Sequence, residues 1–327
     1  MAIPGIAPFG TTASAQAVQK ITLTMGPLSV ALLTYGAILQ SVRLEGVGHD
    51  LTLGSARLAD YEGPMHYHGA LIGPVANRIT GAMATLDGRT HHFDPNEAGR
   101  NTLHSGRHGT HARIWKLAEL TETTASLTVD LPDGESGFPG NRRLTARFSL
   151  HADATLRLDL TATTDAATWI NLANHSYWNL DGSPSWAGHR LWIPAEHYLP
   201  VDADLLPTGE IRAVAGTEMD FRQERTIQPG APAMDTNFCL APQRRGLTPA
   251  LRLTGSSGLT MEMATTEPGL QIYDGRQPRL PGSPAYEGLA IEAQFWPDAP
   301  HQPAFPDITL RPGALWQQRT EWRFSRA

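Results

Sequence analysis

The alternating stretch Leu144–Leu150 (LTARFSL) and the next one, Thr155–Thr161 (TLRLDLT), decide the fold class of this chain. In both, apolar and polar side chains alternate, which puts the apolar ones on one face of an extended strand. The same pattern recurs in four other stretches: Lys20–Met25, Leu28–Thr34, Ser41–Leu44 and Ser126–Leu131. Strands spaced in this way are typical of a large antiparallel sandwich or barrel.

Turn-forming residues punctuate these strands. The chain has 327 residues with 31 glycines and 25 prolines, more than an average protein carries, and no long amphipathic helix is evident. Pairs that favour tight turns stand at Asp87-Gly88, Asp133-Gly134, Asp181-Gly182 and Pro281-Gly282. The sequence therefore predicts an all-β protein with short antiparallel connections. Because large β-sandwiches often exceed the usual domain length, we expect residues 1–327 to form a single domain.

The composition argues against several kinds of partner. The net charge is −6 and the basic residues are scattered, so we expect neither nucleic-acid nor membrane binding. The single cysteine, Cys239, rules out an internal disulfide and a cysteine-rich metal site. The first residues (MAIPGIAPFG) lack the charged region and the continuous apolar run of a secretory signal. We therefore expect a cytoplasmic protein.

One histidine stands inside a run of amide, hydroxyl and aromatic residues, NLANHSYWN at Asn171–Asn179. The unperturbed pKa of a histidine side chain lies near neutrality, so His175 is a candidate proton donor and acceptor. Tyr177 and Trp178 offer flat apolar faces of the kind that stack on a sugar ring. The alternative is a core histidine whose ring is satisfied by a neighbouring carbonyl group.

Two further segments carry polar candidates. GPVANRIT at Gly73–Thr80 places Asn77 and Arg78 between apolar flanks, where an arginine suits hydroxyl or carboxylate binding. A structural arginine in a buried ion pair is an equally good interpretation of that segment. NTLHSG adds His104 in a glycine-bounded turn, which is weak evidence by itself.

Two acidic residues complete the set. Asp235 in MDTNF precedes an apolar strand, where its carboxylate could bind vicinal hydroxyls or form an Asx-turn. Glu292 lies in the almost wholly apolar run LAIEAQFWPD. It either faces solvent from an edge strand or is desolvated, in which case its raised pKa suits a general base. Together with His175 it provides an acid and a base of different type, which suits opening and reclosing of a sugar hemiacetal.

The chain resembles the aldose 1-epimerase (galactose mutarotase) family over nearly its whole length. The resemblance rests on seven segments that occur in the family's order, since no single one would be specific. They are ANRI (76–79), NTLHSG (101–106), NHSYWNLDG (174–182), YLPVDADLLPTGEI (198–211), DTNF (235–238), TTEPGLQIYDG (265–275) and IEAQFWPDAPHQPAFPDITLRPG (291–313).

The resemblance implies a large antiparallel β-supersandwich of the galactose mutarotase type, with an active site in an open cleft. Glu292 would be the general base that takes the proton of the anomeric hydroxyl, and His175 the general acid that protonates the ring oxygen. Arg78, His104 and Asp235 would bind the sugar, with Asn77 as a further binding candidate. A free monosaccharide substrate, no metal or organic cofactor, and a monomer or homodimer are expected.

The chain departs from the family pattern at a few positions. Trp178 stands where phenylalanine is usual, Thr236 where histidine is common, and Pro74 where many relatives carry a bulkier residue. Phe295-Trp296 thickens the apolar wall after Glu292. We expect these departures to shape the pocket around the outer hydroxyls of the sugar.

Other functions remain open from the sequence. A carbohydrate-binding protein would need Asp235 and Arg78 but not both His175 and Glu292. A glycosidase would use two carboxylates, such as Glu292 with Asp235, and leave the histidine without a role.

Two rivals depend on where particular cations and histidines lie. A phosphosugar 1-epimerase of the same fold would need an extra cation near the cleft, such as Arg107 or Arg276. A metal site would need a third ligand beside His66 and His68, or beside the pair His108/His111, and none is evident.

Overall fold

The computed structural model describes residues 5–326. Residues 1–4, on which part of the expected cytoplasmic location rests, and residue 327 lie outside the described residues. Helix is scarce in the described chain: one α-helical turn, α1 (Leu58–Tyr61), and the short 3₁₀ turns Thr80–Ala82, Thr110–Ala112, Glu135–Gly137 and Ala299–His301. The predicted all-β class is confirmed.

The strands in chain order are β1 (Ile6–Thr11), β2 (Ala17–Met25), β3 (Leu28–Leu33), β4 (Ile38–Leu44), β5 (Leu71–Ile72), β6 (Arg78–Ile79), β7 (Met83–Leu86), β8 (Arg89–His92), β9 (Thr102–Leu103), β10 (Lys116–Leu120), β11 (Thr124–Leu131), β12 (Arg142–His151), β13 (Thr155–Thr164), β14 (Thr168–Trp169), β15 (Ala173–Asn174), β16 (Tyr177–Trp178), β17 (Arg190–Trp192), β18 (His197–Leu199), β19 (Arg212–Ala213), β20 (Arg225–Thr226), β21 (Asp235–Cys239), β22 (Thr248–Thr254), β23 (Leu259–Thr265), β24 (Gly269–Tyr273), β25 (Leu289–Gln294), β26 (Thr309–Leu310) and β27 (Trp316–Arg326). Each of the six alternating stretches lies on a strand, with Thr34 one residue beyond the end of β3.

Alternation places one face of each long strand in the core. In the β12–β13 hairpin, Leu144 lies opposite Ala162 and Phe148 lies opposite Leu158, and all four side chains are buried. Their polar neighbours point to the other side of the sheet, as the two-residue period requires.

Three antiparallel sheets contain most of the strand residues of the described chain. A nine-stranded sheet has the order β10-β11-β12-β13-β27-β23-β22-β17-β20, and a six-stranded sheet has the order β16-β25-β24-β21-β18-β19. A four-stranded sheet holds β1 to β4 in sequence order. The prediction of large antiparallel sheets is confirmed, with β27 inserted between strands that come much earlier in the chain.

The six-stranded and nine-stranded sheets face one another across a shared apolar core. Trp178 on β16 is fully buried, and its ring centroid lies 6.0 Å from that of Trp322 and 5.7 Å from that of Phe324, both on β27. This tryptophan therefore packs between sheets. Our expectation that it shapes a sugar pocket is wrong, because its side chain points away from the polar cleft described below.

Only one of the predicted turn pairs closes a short hairpin. Asp87-Gly88 joins β7 to β8 with the positive φ angles of 50° and 77° that such turns need. Asp133-Gly134 lies in a longer connection, and Asp181-Gly182 joins strands of different sheets. Pro281-Gly282 belongs to the long loop 274–288 between β24 and β25. A turn pair fixes the local bend of the backbone but not which strands it connects.

Among residues 5–326, no helix is both long enough and apolar enough to cross a bilayer. The longest regular elements in that part of the chain are strands.

The packing of Trp178 predicts a large loss of stability when its ring is removed. Trp178→Ala should lower the free energy of unfolding by about 3–5 kcal/mol, because the cavity would lie between two sheets. Trp178→Phe should cost less, since an aromatic ring would still contact Trp322 and Phe324. Urea unfolding followed by tryptophan fluorescence measures both, and a cost below about 1 kcal/mol for the alanine variant would contradict this account.

Candidate active site

A cleft of about 390 Å³ opens beside the six-stranded sheet. All six residues predicted from the sequence line it: Asn77, Arg78, His104, His175, Asp235 and Glu292. They come from five separate segments of the chain, so the fold rather than sequence proximity brings them together.

Glu292 is carried by β25, which lies between β16 and β24 and is therefore an internal strand. All six residues of this strand are buried, and Glu292 itself is 2% exposed. Of the two interpretations of its apolar run, the desolvated one is correct. Burial raises the pKa of its carboxyl group well above the usual value, the charge of Asp235 adds to that rise, and Arg78 opposes it.

His175 lies between β15 and β16, in a short irregular segment that the backbone holds in place. Its N–H donates to the carbonyl oxygen of Ala70 at 3.0 Å, and its own carbonyl accepts the N–H of Gly69 at 2.9 Å. Nε2 lies 3.5 Å from Oε1 of Glu292, while Nδ1 has no hydrogen-bond partner among the described residues. The ring is therefore not a core histidine satisfied by a carbonyl group.

The two groups form a pair with opposite pKa shifts. Burial lowers the pKa of His175 to about 4, whereas burial raises that of Glu292. Both shifts disfavour the charged form, so burial favours a pair that shares one proton as a carboxylic acid beside a neutral imidazole over the ion pair. Transfer of that proton across the 3.5 Å gap would give the carboxylate and the imidazolium.

The guanidinium group of Arg78 forms ion pairs with two carboxylates. Its Nε lies 3.0 Å and its Nη2 2.8 Å from Oε1 of Glu97, while its Nη1 lies 3.9 Å from Oδ2 of Asp235. The structural ion pair considered from the sequence is thus present, and the same guanidinium also reaches the cleft.

Asp235 is the first residue of β21 and faces the cleft. Oδ1 accepts a hydrogen bond from Nε2 of Gln271 at 2.7 Å, which fixes the plane of the carboxylate. Burial raises its pKa, while Arg78 and Gln271 act in the opposite direction.

His104 has a defined tautomer. The backbone N–H of Asn77 donates to Nδ1 of His104 at 3.1 Å, so Nδ1 carries no proton. Burial lowers the pKa of this ring well below its ordinary value, so the ring is neutral and its proton sits on Nε2. His104 therefore offers the cleft a hydrogen-bond donor.

This tautomer argues against a metal ion. Among the described residues, His104, His175 and Glu292 are the one group whose ligand atoms lie close enough to hold one, within 4.8 Å of one another. A metal-bound histidine normally donates its other ring N–H to an acceptor. Here the other nitrogen of His104 instead accepts the amide proton of Asn77. The ring has no free lone pair, and the donor set does not fit a metal ion.

Sequence reasoning missed several residues in or next to the cleft. The clearest is Gln271, which does not line the cleft but donates to Asp235, lies directly opposite Glu292 in the pairing of β24 with β25 and is 3% exposed. The signal that identified Glu292, a polar residue in a buried apolar strand, would also have identified this glutamine in GLQIY. Tyr67 and Tyr273 lie on loops or strand ends and gave no comparable signal.

Several predicted pocket residues lie elsewhere. Tyr177 lines the cleft, where its ring is stacked on the rings of His68 and His175, but Trp178 does not line it. The other departures from the family pattern are likewise absent from the walls of this cleft in the described structure: Pro74, Thr236, Phe295 and Trp296.

The hydrogen bond from Asn77 predicts that His104 is neutral and protonated on Nε2. Long-range ¹H–¹⁵N NMR of the selectively labelled protein should show this tautomer at neutral pH, and no protonation of the ring as the pH falls through 6.5, because burial lowers its pKa. An Nδ1–H tautomer would contradict the assignment and restore His104 as a metal ligand.

Comparisons with known proteins agree with this architecture. The sequence pattern of the aldose 1-epimerase family matches residues 19–323. Galactose mutarotase of Rattus norvegicus is 35% identical over 94% of this chain and 94% of its own length. Aldose 1-epimerase of Escherichia coli K12 is 33% identical over 98% of both chains.

Solved structures give the same result. An aldose epimerase homologue from C. elegans superimposes with a TM-score of 0.88 at 28% identity, covering 95% of this chain and 100% of that one. A galactose 1-epimerase from Lactobacillus acidophilus superimposes with a TM-score of 0.83 at 27% identity, covering 98% of both. The predicted galactose mutarotase-like fold is confirmed, and the chain belongs to the aldose 1-epimerase family.

Proposed function

We propose that this protein interconverts the α and β anomers of a free aldose by opening and reclosing its ring. The observation that carries the proposal is the placement of His175 Nε2 3.5 Å from Glu292 Oε1 in a cleft open to a small molecule. The named activities of the relatives support it. The reaction needs one group to take a proton and another to give one, and this pair has both.

In the proposed reaction, the Glu292 carboxylate removes the proton of the anomeric hydroxyl while the His175 imidazolium protonates the ring oxygen. The C1–O5 bond breaks and C1 becomes an aldehyde. Rotation about C1–C2 presents the other face of the carbonyl group. On closure the ring oxygen attacks C1, His175 takes its proton back, and Glu292 returns a proton to O1.

The electrostatics of the cleft favour the ring-opening step. After opening, Glu292 is a neutral carboxylic acid and His175 a neutral imidazole. Burial stabilises these neutral forms relative to the ion pair, as the raised pKa of Glu292 and the lowered pKa of His175 indicate. Burial of the two groups therefore stabilises the protonation state of the open-chain intermediate.

The other cleft residues suit the binding of hydroxyl groups. Asp235 offers an acceptor beside the guanidinium of Arg78, and Nε2–H of His104 is a donor. Asn77 holds that donor in place through its backbone.

The charge balance of the cleft favours an unphosphorylated sugar over a phosphosugar. Of the two arginines considered from the sequence, Arg276 lines the cleft and Arg107 does not. Arg276 is neutralised by Asp274, with Nε–Oδ1 and Nη2–Oδ2 distances of 2.9 and 3.0 Å. Arg279, also in the cleft, donates to Glu287 at 2.7 Å. A phosphate would have to compete with these carboxylates.

The domain organisation, the location, the partners and the oligomeric state of the protein are also proposals. One apolar cluster contains residues from Ile21 to Phe324, which supports a single domain over residues 1–327. The lone cysteine suits the reducing cytoplasm, and the scattered basic residues suit a protein that binds neither nucleic acid nor membrane. A monomer or homodimer completes the proposal, and light scattering coupled to size exclusion would decide between them.

The first prediction is catalytic turnover of freshly dissolved sugars. Polarimetry or saturation-transfer NMR with a panel of hexoses and pentoses should show anomerisation faster than the uncatalysed rate. A chelator should leave the rate unchanged, because the donor set does not fit a metal. Binding of sugar without acceleration on any member of the panel would instead identify a carbohydrate-binding protein.

The second prediction concerns the proton-transfer pair. Glu292→Gln and His175→Asn should each lower kcat by about 10²–10⁴-fold, the usual contribution of a positioned acid or base. The same two changes on the nine-stranded sheet, Glu262→Gln and His151→Asn, are matched controls that should keep the wild-type rate. Near-normal turnover of either cleft variant with intact folding would disprove its assigned role.

The third prediction is an unusual pH profile. Activity requires that the pair hold one proton, so on the acid side kcat/KM should fall when the pair gains a second proton, on His175, near pH 4. An ordinary histidine would give that limb near 6.5. Above the raised pKa of Glu292 the last proton is lost and activity should fall again. Rates corrected for uncatalysed mutarotation measure the profile, and an acid limb near 6.5 would contradict the effect of burial on His175.

A further inference from the structure

His68 is a cleft residue that the proton-transfer step does not use. It lies in the segment between α1 and β5 and lines the cleft beside Tyr177 and Arg279. The residue is only 8% exposed, so the ring sits against the cleft wall.

The ring of His68 is fixed in orientation. It is stacked on Tyr177 with a centroid separation of 4.1 Å and an interplanar angle of 14°. The next residue, Gly69, donates its N–H to the carbonyl oxygen of His175 at 2.9 Å and accepts Nδ2 of Asn174 at 3.0 Å.

The backbone at Gly69 cannot easily be replaced. Its φ of +71° is unfavourable for other residues, and a Cβ there would lie 2.4 Å from the carbonyl oxygen of Leu39. The segment that carries His68 is therefore tied to the segment that carries His175, so the two rings keep a fixed relation.

The polar atoms of His68 are unused within the protein. Among residues 5–326, neither ring nitrogen has a hydrogen-bond partner. Neither nitrogen is fully buried, and the residue lines the cleft. Burial lowers the pKa of the ring to about 3, with the charges of His175 and Arg279 adding to that shift. A neutral imidazole presents one donor and one acceptor, which matches a hydroxyl group, itself both donor and acceptor.

We propose that His68 is a specificity-determining residue that binds a hydroxyl group of the sugar on a carbon other than the anomeric carbon. The proposal rests on the proposed anomerase function. Both His68 and His175 stack on Tyr177, yet within the described residues the two imidazoles make no ring contact with each other. They therefore face different parts of the substrate, and only His175 lies beside Glu292.

The test compares kcat/KM of the wild-type protein and of one variant on an aldose and on its singly deoxygenated analogues. His68→Phe keeps the stacked ring and removes both polar atoms. With the aldose that the wild-type protein turns over fastest, the variant should lose about tenfold in kcat/KM, mainly through KM, as expected for one lost hydrogen bond to a hydroxyl group. The wild-type protein should discriminate by a similar factor against one singly deoxygenated analogue of that sugar. The variant should no longer discriminate against that analogue, while its discrimination against the other deoxygenated analogues should be unchanged.

His197→Phe is the matched control. His197 lies on β18 of the six-stranded sheet and does not line the cleft, so its substitution should leave every discrimination factor intact. Unchanged discrimination in His68→Phe, with wild-type turnover established, would overturn the role of His68 and leave the anomerase function standing. Absence of wild-type turnover on all sugars would refute the anomerase function instead.

Thermal unfolding of both variants identifies any loss of folding. His68→Gln keeps a donor and an acceptor, so it should recover part of the lost discrimination if that loss is chemical rather than structural.

Discussion

Glu292 lies on an internal strand whose six residues are all buried, so its carboxyl group can be charged only at a cost in free energy. The surroundings of this group are arranged around that cost. Arg78 offsets part of it, Asp235 adds to it, and His175 stands within reach of a shared proton. A site with the same residues on an exposed strand would leave the carboxylate permanently charged and poorly matched to proton exchange near neutral pH.

Much of the fold could be predicted from the sequence because two-residue alternation is a local property. In strands such as β12 and β13, the alternation of apolar and polar side chains indicates which face is buried. The order of strands in the sheets is not local. Nothing within β27 indicates that it pairs with both β13 and β23, and the turn pair Asp181-Gly182 gives no sign that the chain changes sheets there.

The site divides in the same way. Glu292 stood out because a charge in an apolar run needs an explanation, and Asn77, Arg78, His104, His175 and Asp235 were carried by motifs. Gln271 carried the same kind of signal and was overlooked. His68 was considered only as a metal ligand beside His66, since its place in the cleft depends on a turn anchored by Gly69 to another segment. Trp178 was misassigned because neighbouring residues of a strand point to opposite faces: Tyr177 points into the cleft and Trp178 into the core.

The position of β27 also bears on how the chain is made. As the last described strand, it leaves the ribosome after β13 and β23, which until then present unpaired edges to the cell. Strands β13 and β23 each carry a carboxylate that binds an arginine of β27 in the folded protein. Asp159 accepts a hydrogen bond from Nε of Arg319 at 2.6 Å, and Glu262 accepts one from Nε of Arg323 at 3.1 Å. Charged side chains on an open edge discourage pairing with other chains. The same carboxylates thus protect the nascent sheet from aggregation before they help to close it.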